Sequence, residues 1–251
     1  MKIKPILALI ISIIIFHSFA LAQTADDILY MTENYPPFNF EEDGKLKGIS
    51  VDLMVLMLQK LNSKLSRNDI KLYPWARGYN WVRARPNTCL FAMTRSTERE
   101  KLFKWVGPIS NEPIVLLALK SKNIKIKSIE DLNKYKIGVV TSDISHLYLL
   151  EKEIPKENIH RVTYPVQNAK KLTIGRIDMW AYGETVGIWI MKKNGFDPRN
   201  FEIVYKFTGV GDFYFAFHAE TSDKLIQKFQ AALDELKKEG KYQEVLDRYL
   251  R

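Results

Sequence analysis

The stretch Leu90-Phe91-Ala92-Met93-Thr94-Arg95-Ser96-Thr97-Glu98-Arg99-Glu100-Lys101-Leu102-Phe103-Lys104-Trp105 decides how this chain is read. The apolar run from Leu90 to Met93 has the composition of a buried strand, and it breaks into hydroxyls at Thr94, Ser96 and Thr97, with Arg99 close behind. A strand that ends this way presents hydroxyls, backbone N–H groups and one guanidinium to a small anion. The planar fork of arginine meets a carboxylate with two parallel hydrogen bonds. On these residues alone, a surface turn with solvated charges explains the pattern equally well. The rest of the chain separates the two readings.

Outward from this stretch, short apolar runs alternate with amphipathic ones, the pattern of α/β layers. Ile28 to Thr32 reads as a first strand, with Tyr35-Pro36-Pro37-Phe38 as a rigid loop at its carboxyl end. Asp43-Gly44 is a turn signal. Gly48 and Ser50 open a helix with apolar positions at Leu53, Met54, Met57, Leu58 and Leu61, and Asp52 complements its N-terminal dipole. Ile70 to Tyr73 predicts a second strand, followed by Pro74-Trp75-Ala76-Arg77 and a helix around Tyr79 to Arg85.

A second series begins after Ile114 to Leu119, with strands at Lys136–Val140, Arg161–Tyr164, Ile177–Tyr182 and Glu202–Phe207. Thr141-Ser142-Asp143 has the character of a helix N-cap. Phe213 to Phe217 is a further apolar strand, and two amphipathic helices, Ser222 to Lys238 and Lys241 to Leu250, close the chain. Two such series imply two lobes with a cleft between them. In open α/β sheets a ligand sits beyond the carboxyl ends of the strands.

Bulk properties narrow the function classes. Residues 1–22 read as a signal peptide: Lys2 and Lys4, then an apolar block from Ile6 to Phe16, then Ala20-Leu21-Ala22 before Gln23. The block is too short to predict a membrane span. Its removal leaves about 229 residues, enough to bury a core without staples, and lowers the formal charge from +9 to about +7. Cys89 is the only cysteine, so no disulfide within the chain is possible; it reads as a buried small side chain. Acids and bases are interleaved without a long basic block, which argues against a nucleic-acid partner. His146, His160 and His218 lack metal-ligand spacing, and no nucleophile elbow or Cys–His logic is present, so no metal, cofactor or catalytic residue is expected. Gly209-Val210-Gly211 reads as a hinge turn rather than a nucleotide loop.

The ordered set Tyr35-Pro36-Pro37-Phe38, Asp43-Gly44, Gly48-Ile49-Ser50-Val51-Asp52-Leu53, Thr94-x-Ser96-Thr97-Glu98-Arg99, Gly138-Val139-Val140 and Gly175-Arg176-Ile177-Asp178 resembles the family 3 extracellular solute-binding proteins, the polar-amino-acid receptors of bacterial ABC importers. The C-terminal Glu239-Gly240-x-Tyr242 and Asp247-x-Tyr249-Leu250 fit the same pattern, so the resemblance covers essentially the whole mature chain. It implies a type II periplasmic-binding-protein fold: two α/β lobes joined by two hinge strands, with lobe one at 24–111 and 208–251 and lobe two at 112–207. It also implies a periplasmic monomer that hands a small carboxylate-bearing ligand to an ABC permease.

Carried over residue by residue, Arg99 matches the receiver of the ligand α-carboxylate, Thr94 a nearby hydroxyl or backbone donor, and Ala92 a position that donates an N–H. Tyr35 and Trp75 match aromatic walls, and Ser142 to Ser145 match the helix start that closes on the same carboxylate. Tyr182 is placed at a strand end in the cleft, with Trp180 in the core, and Arg77 is a weaker candidate that would add positive charge.

Two departures from the family pattern stand out. Asp143 sits at the helix start, where it either faces a bound carboxylate or, the reading we favour, caps the helix and faces away. Gly183 occupies the position where amino-acid binders carry an Asp for the ligand ammonium, so either neighbouring Glu184 replaces it or the ligand has no α-ammonium. A charge-assisted bond from Arg99 supplies about 1.5–3 kcal/mol, against about 8 kcal/mol for micromolar binding. Aromatic walls and cleft closure must therefore supply the rest. Two alternatives are a dehydratase-like enzyme on the same scaffold, using Glu184 or Glu33 as an acid, and a module delivering ligand to a sensory receptor.

Overall fold

The computed structural model describes residues 23–208 and 211–250. The signal peptide read over 1–22 lies outside the described residues, as do Gly209 and Val210 of the expected hinge turn. In chain order the strands are β1 (Leu29–Thr32), β2 (Phe40–Glu42), β3 (Lys45–Lys47), β4 (Lys71–Leu72), β5 (Thr88–Thr94) and β6 (Phe103–Asn111). Next come β7 (Ile114–Leu119), β8 (Ile137–Val140), β9 (Ile159–Val162), β10 (Met179–Gly183), β11 (Phe201–Lys206) and β12 (Asp212–His218). The helices are α1 (Ile49–Lys60), α2 (Trp75–Ala84), α3 (Ile144–Glu151), α4 (Pro165–Thr173), α5 (Glu184–Lys193), α6 (Asp223–Lys238) and α7 (Lys241–Leu250).

Two five-stranded sheets result, in the orders β4-β1-β5-β12-β6 and β11-β7-β10-β8-β9, and β2 and β3 form a separate hairpin. In the first sheet β1 runs parallel to β4 and β5, while β12 runs antiparallel to β5 and β6. In the second, β10, β8 and β9 are parallel and β7 is antiparallel to its neighbours. This is the fold type that the resemblance implies. The chain crosses between the sheets twice, through Glu112-Pro113 and between β11 and β12. The crossings lie side by side, with the Glu112 N–H donating to the Gly211 carbonyl at 2.8 Å.

Buried runs explain why the central strands form. Every residue of β5, β8 and β10 is buried, as expected for strands covered on both faces. Cys89 is among them. Helix α1 buries Leu53, Met54, Met57 and Leu58, and α6 buries Leu225, Phe229, Leu233 and Leu236 at helical spacing. Ser222 caps α6 by accepting from the Leu225 N–H at 3.2 Å.

The turn into α1 needs a glycine. Gly48 has φ +118°, and a Cβ there would collide with the Phe38 carbonyl. Asp52 does more than complement a dipole. It is 4% exposed, pairs with Arg67 and Arg248 at 2.7 Å each, and accepts from the Tyr249 hydroxyl at 2.9 Å. One carboxylate thus ties α1 to the C-terminal helix. No helix among the described residues is long and apolar enough to cross a membrane.

Candidate functional site

The carboxyl ends of β1, β5, β8 and β10 meet where the two sheets face each other, and the cleft is built from the loops that follow them. Arg99, just past β5, is 1% exposed. Its Nη1 donates to the Thr94 carbonyl of its own lobe, and its Nη2 donates across the cleft to the Ser142 carbonyl, both at 3.2 Å. The guanidinium lies over the rings of Tyr79 and Trp75, 5.0 and 5.5 Å from their centroids. Its buried Nε–H has no acceptor among the described residues. Burial pushes the Arg99 pKa down, opposed by Tyr79 and Asp143. A buried fork with a spare donor is the arrangement that receives a planar anion.

Trp75 opens α2 and is 3% exposed; its Nε1 donates to the same Ser142 carbonyl at 2.8 Å. Ser142 has φ +63°, a left-handed conformation that turns its carbonyl into the cleft. Tyr35 packs against Tyr182 across the lobes, with centroids 5.2 Å apart. The buried Tyr182 hydroxyl has no hydrogen-bond partner among the described residues. Trp180, also fully buried, stacks on Tyr182 at 5.0 Å. Ala92 has φ +56° inside β5, at the point where the β5–β12 register slips. This bulge frees backbone groups from the ladder at the strand's site end. Tyr35, Trp75, Ala92, Thr94, Arg99, Ser142 and Tyr182 therefore converge.

Four sequence readings end differently. Ser145 is fully buried, and its hydroxyl lies 2.8 Å from Asp143 Oδ2 and 3.1 Å from the Ala181 carbonyl, so it serves the helix start. Arg77 stays out of the cleft, held over the rings of Tyr73 and Trp81 at 4.7 and 4.6 Å. Glu184 opens α5 and pairs with Lys206 at 3.2 Å. Asp143 does not face away. It precedes α3, and its carboxyl is pushed up by burial, opposed by the Ser145 hydroxyl and by the nearby Arg99 charge.

Two acids stand beside these residues: Glu112, which the sequence reading does not single out, and Glu33, which it offers only as the acid of the enzyme alternative. Glu112, on the first crossing, is 1% exposed and accepts from the Val186 N–H at 3.1 Å, capping α5. Its carboxylate fills the space beside Gly183: a Cβ there would lie 2.7 Å from Glu112 Oε1 and would collide with the Tyr35 hydroxyl. Burial pushes Glu112 up to about 7, against the hydrogen bonds from Thr185 and Val186. Glu33, just past β1, is 8% exposed and pushed well up by burial and by Asp143, with Arg99 opposing. It lies at one side of a cavity of about 500 Å³, walled by Tyr73 and Trp75 from one lobe and by Tyr164, Val166 and Trp189 from the other. That volume is in the range of small-molecule sites. The described residues contain no cluster of three or more His, Cys, Asp or Glu able to hold a metal.

The sequence profile of the bacterial extracellular solute-binding proteins, family 3, matches residues 28–251. A probable amino-acid-binding protein, YxeM of Bacillus subtilis (strain 168), is 29% identical over 235 residues, covering 89% of this chain and 84% of that protein. A probable histidine-binding protein of Campylobacter jejuni is 27% identical over 229 residues, covering 86% of this chain and 81% of that one. Among solved structures, an ancestral arginine-binding protein bound to arginine superposes with TM-score 0.75 at 23% identity, covering 90% of this chain and 99% of that one. Matched along all but its first residues, the chain belongs to the family 3 bacterial extracellular solute-binding proteins and is a binding protein rather than an enzyme.

Proposed function

We propose that this chain is an exported receptor that captures an amino acid between its lobes and delivers it to an ABC permease. Residues 24–111 and 208–251 form one lobe and 112–207 the other, and the monomer closes on its ligand in the periplasm. The observation that carries this reading is the buried Arg99 fork. It reaches acceptors on both lobes and keeps a spare Nε–H for a carboxylate. A ligand carboxylate would take over as acceptor where the Ser142 carbonyl now serves, with Thr94 and the bulge at Ala92 supplying neighbouring backbone groups.

Asp143 supplies the second half of a zwitterion site. Its inward carboxylate beside Arg99 gives the charge pair that an α-carboxylate and α-ammonium match, a role Glu184 cannot fill from its pair with Lys206. The similarity to proteins named as amino-acid-binding and histidine-binding points the same way.

Titration calorimetry of the mature chain against the twenty L-amino acids tests the proposal, with Arg99→Met and Asp143→Asn alongside. At least one amino acid should bind, and each variant should lose about tenfold or more in affinity, the weight of a charge-assisted hydrogen bond. Undiminished binding in the Arg99 variant would refute the anchor. Binding confined to acids that lack an amino group would refute the zwitterion site.

A further inference from the structure

Both polar backbone groups of Ser142 are engaged, on opposite sides. Its carbonyl reaches across the cleft, accepting from Trp75 Nε1 at 2.8 Å and from Arg99 Nη2 at 3.2 Å. Its N–H donates on its own side to Nδ1 of His146, in α3, at 3.1 Å. Between them Ser142 is left-handed, at φ +63°, a conformation that a residue with a Cβ keeps only where its surroundings hold it. Trp75 and Arg99 hold it only while the two sheets face each other. His146 and Ser142 sit in one stretch of chain, so their contact does not depend on the cleft.

The protonation state of His146 decides whether that contact exists. The ring is 8% exposed, and because Nδ1 accepts, the neutral ring carries its single proton on Nε2. A second proton, taken from solvent, would add to Nδ1 and set two donors face to face. The charged groups around the ring are cations: Arg161 of β9 and Lys156 of the turn before it line a cavity of about 290 Å³ with His146, and no acid lines it among the described residues. The neighbouring strand β8 brings only apolar side chains and a glycine, and β10 brings Tyr182. Asp143, at the start of the same helix, lies near Arg99. Burial and the Arg161 charge hold the His146 pKa below the ordinary histidine value.

We propose that His146 is a positioning residue for the contact between the lobes: its Nδ1 holds Ser142 in the turn that offers a carbonyl to Trp75 and Arg99, and it lets go when acid charges the ring. Charging leaves the Ser142 N–H without its acceptor and frees the turn, so both bonds to the Ser142 carbonyl weaken together. The native ring binds its second proton less readily than an ordinary one. The contact is therefore complete in and above the ordinary histidine range and is lost as pH falls below it. It belongs to the chain without ligand, and bears on capture only through the receptor reading above.

The test follows the Trp75 indole N–H, identified by its absence in Trp75→Phe, in NMR spectra of the mature ligand-free protein from about pH 8 to about pH 5. In the wild type this signal should shift on acidification with the same midpoint as the His146 ring protons. In His146→Asn, whose Oδ1 accepts in place of Nδ1 and does not titrate, it should keep its neutral-pH position throughout. In His146→Ala it should be displaced at every pH, with exchange about fivefold faster than in the wild type at equal pH, the weight of one neutral hydrogen bond. Ser142→Gly on the alanine background should bring it back, because glycine takes the left-handed turn unsupported. Circular dichroism checks folding, and should a variant not fold, the two wild-type midpoints decide alone. A Trp75 signal that ignores the His146 midpoint, an asparagine variant that titrates like the wild type, or an alanine variant with the wild-type signal would overturn the assignment. No ligand enters the experiment, so that result would leave the amino-acid reading standing, and failure of the calorimetry above would leave His146 untouched.

Discussion

Glu112→Gln isolates the energetic cost of placing an acid on the crossing between the lobes. The carboxyl is 1% exposed and its pKa is pushed from 4.5 up to about 7 by burial, against hydrogen bonds from Thr185 and Val186. In the unfolded chain it loses its proton near 4.5, whereas the folded protein holds it to about 7. Between those values the native state binds more protons, so stability falls as pH rises. A difference of about two and a half units at about 1.4 kcal/mol each makes the total loss about 3 kcal/mol. Glutamine resembles the protonated acid in shape and still offers an oxygen to the Val186 N–H. The variant should therefore match the wild type in stability at acidic pH and exceed it by up to about 3 kcal/mol above pH 7. Urea unfolding of both proteins at stepped pH values measures this, and the difference between the two curves removes every other titrating group. A difference curve that stays flat, or in which the wild type gains on the variant as pH rises, would show that Glu112 is ionised within the fold and that its burial has been misjudged.

Other substitutions probe different joints. Gly183→Ala puts a Cβ into the Tyr35 hydroxyl and within 2.7 Å of Glu112 Oε1; such overpacking costs about 1–3 kcal/mol. Its urea midpoint should drop together with its ligand affinity, since the clash lies between the lobes. Gly48→Ala meets both a left-handed φ of +118° and the rigid Phe38 carbonyl, so its loss of stability on urea unfolding should reach about 2 kcal/mol or more. Asp52→Asn removes the charge that holds Arg67 and Arg248, for about 2 kcal/mol, and amide exchange in α7 should quicken before the rest of the lobe. Trp75→Phe keeps the aromatic wall but loses the 2.8 Å hydrogen bond to Ser142. At about 1 kcal/mol, a fivefold loss of affinity with a larger small-angle-scattering radius is expected, and an unchanged radius would mean the bond does not hold the lobes together.

The layers of this fold were legible because they are periodic. The strand read at Phe213 to Phe217 lies within β12, and the buried faces of α1 and α6 are the apolar positions that spacing picks out. Errors elsewhere are local: β9 spans Ile159–Val162, two residues earlier than expected, since Ile159 and Val162 rather than Tyr164 face the core. The β2–β3 hairpin and β6 were missed. The first is three residues a side around Asp43-Gly44, and the second carries Gly107 and Pro108 in mid-strand.

The site was legible only where a motif fixes a residue beside a strand end, as with Arg99 and Tyr35. The roles of Glu112, Glu33 and Asp143 depend on how two sheets meet through two short crossings, and local spacing carries no record of that. Asp52 shows the same limit within one lobe. Its partners Arg67 and Arg248 lie 15 and 196 residues away, so sequence spacing alone reveals only a dipole complement.

The contacts that the lobes make with each other also bound what a ligand can do. Trp75 and Arg99 both donate to the Ser142 carbonyl, Tyr35 packs on Tyr182, and Lys193 pairs with Glu42 across the cleft. These contacts hold the two lobes against each other. A ligand therefore shifts the equilibrium only by its difference in affinity for the open and closed forms. A carboxylate that merely replaced the Ser142 carbonyl on Arg99 would exchange one acceptor for another and gain little. On the proposed zwitterion reading Asp143 changes that balance, because a ligand ammonium beside it would add a contact on the second lobe that Arg99 on the first does not make.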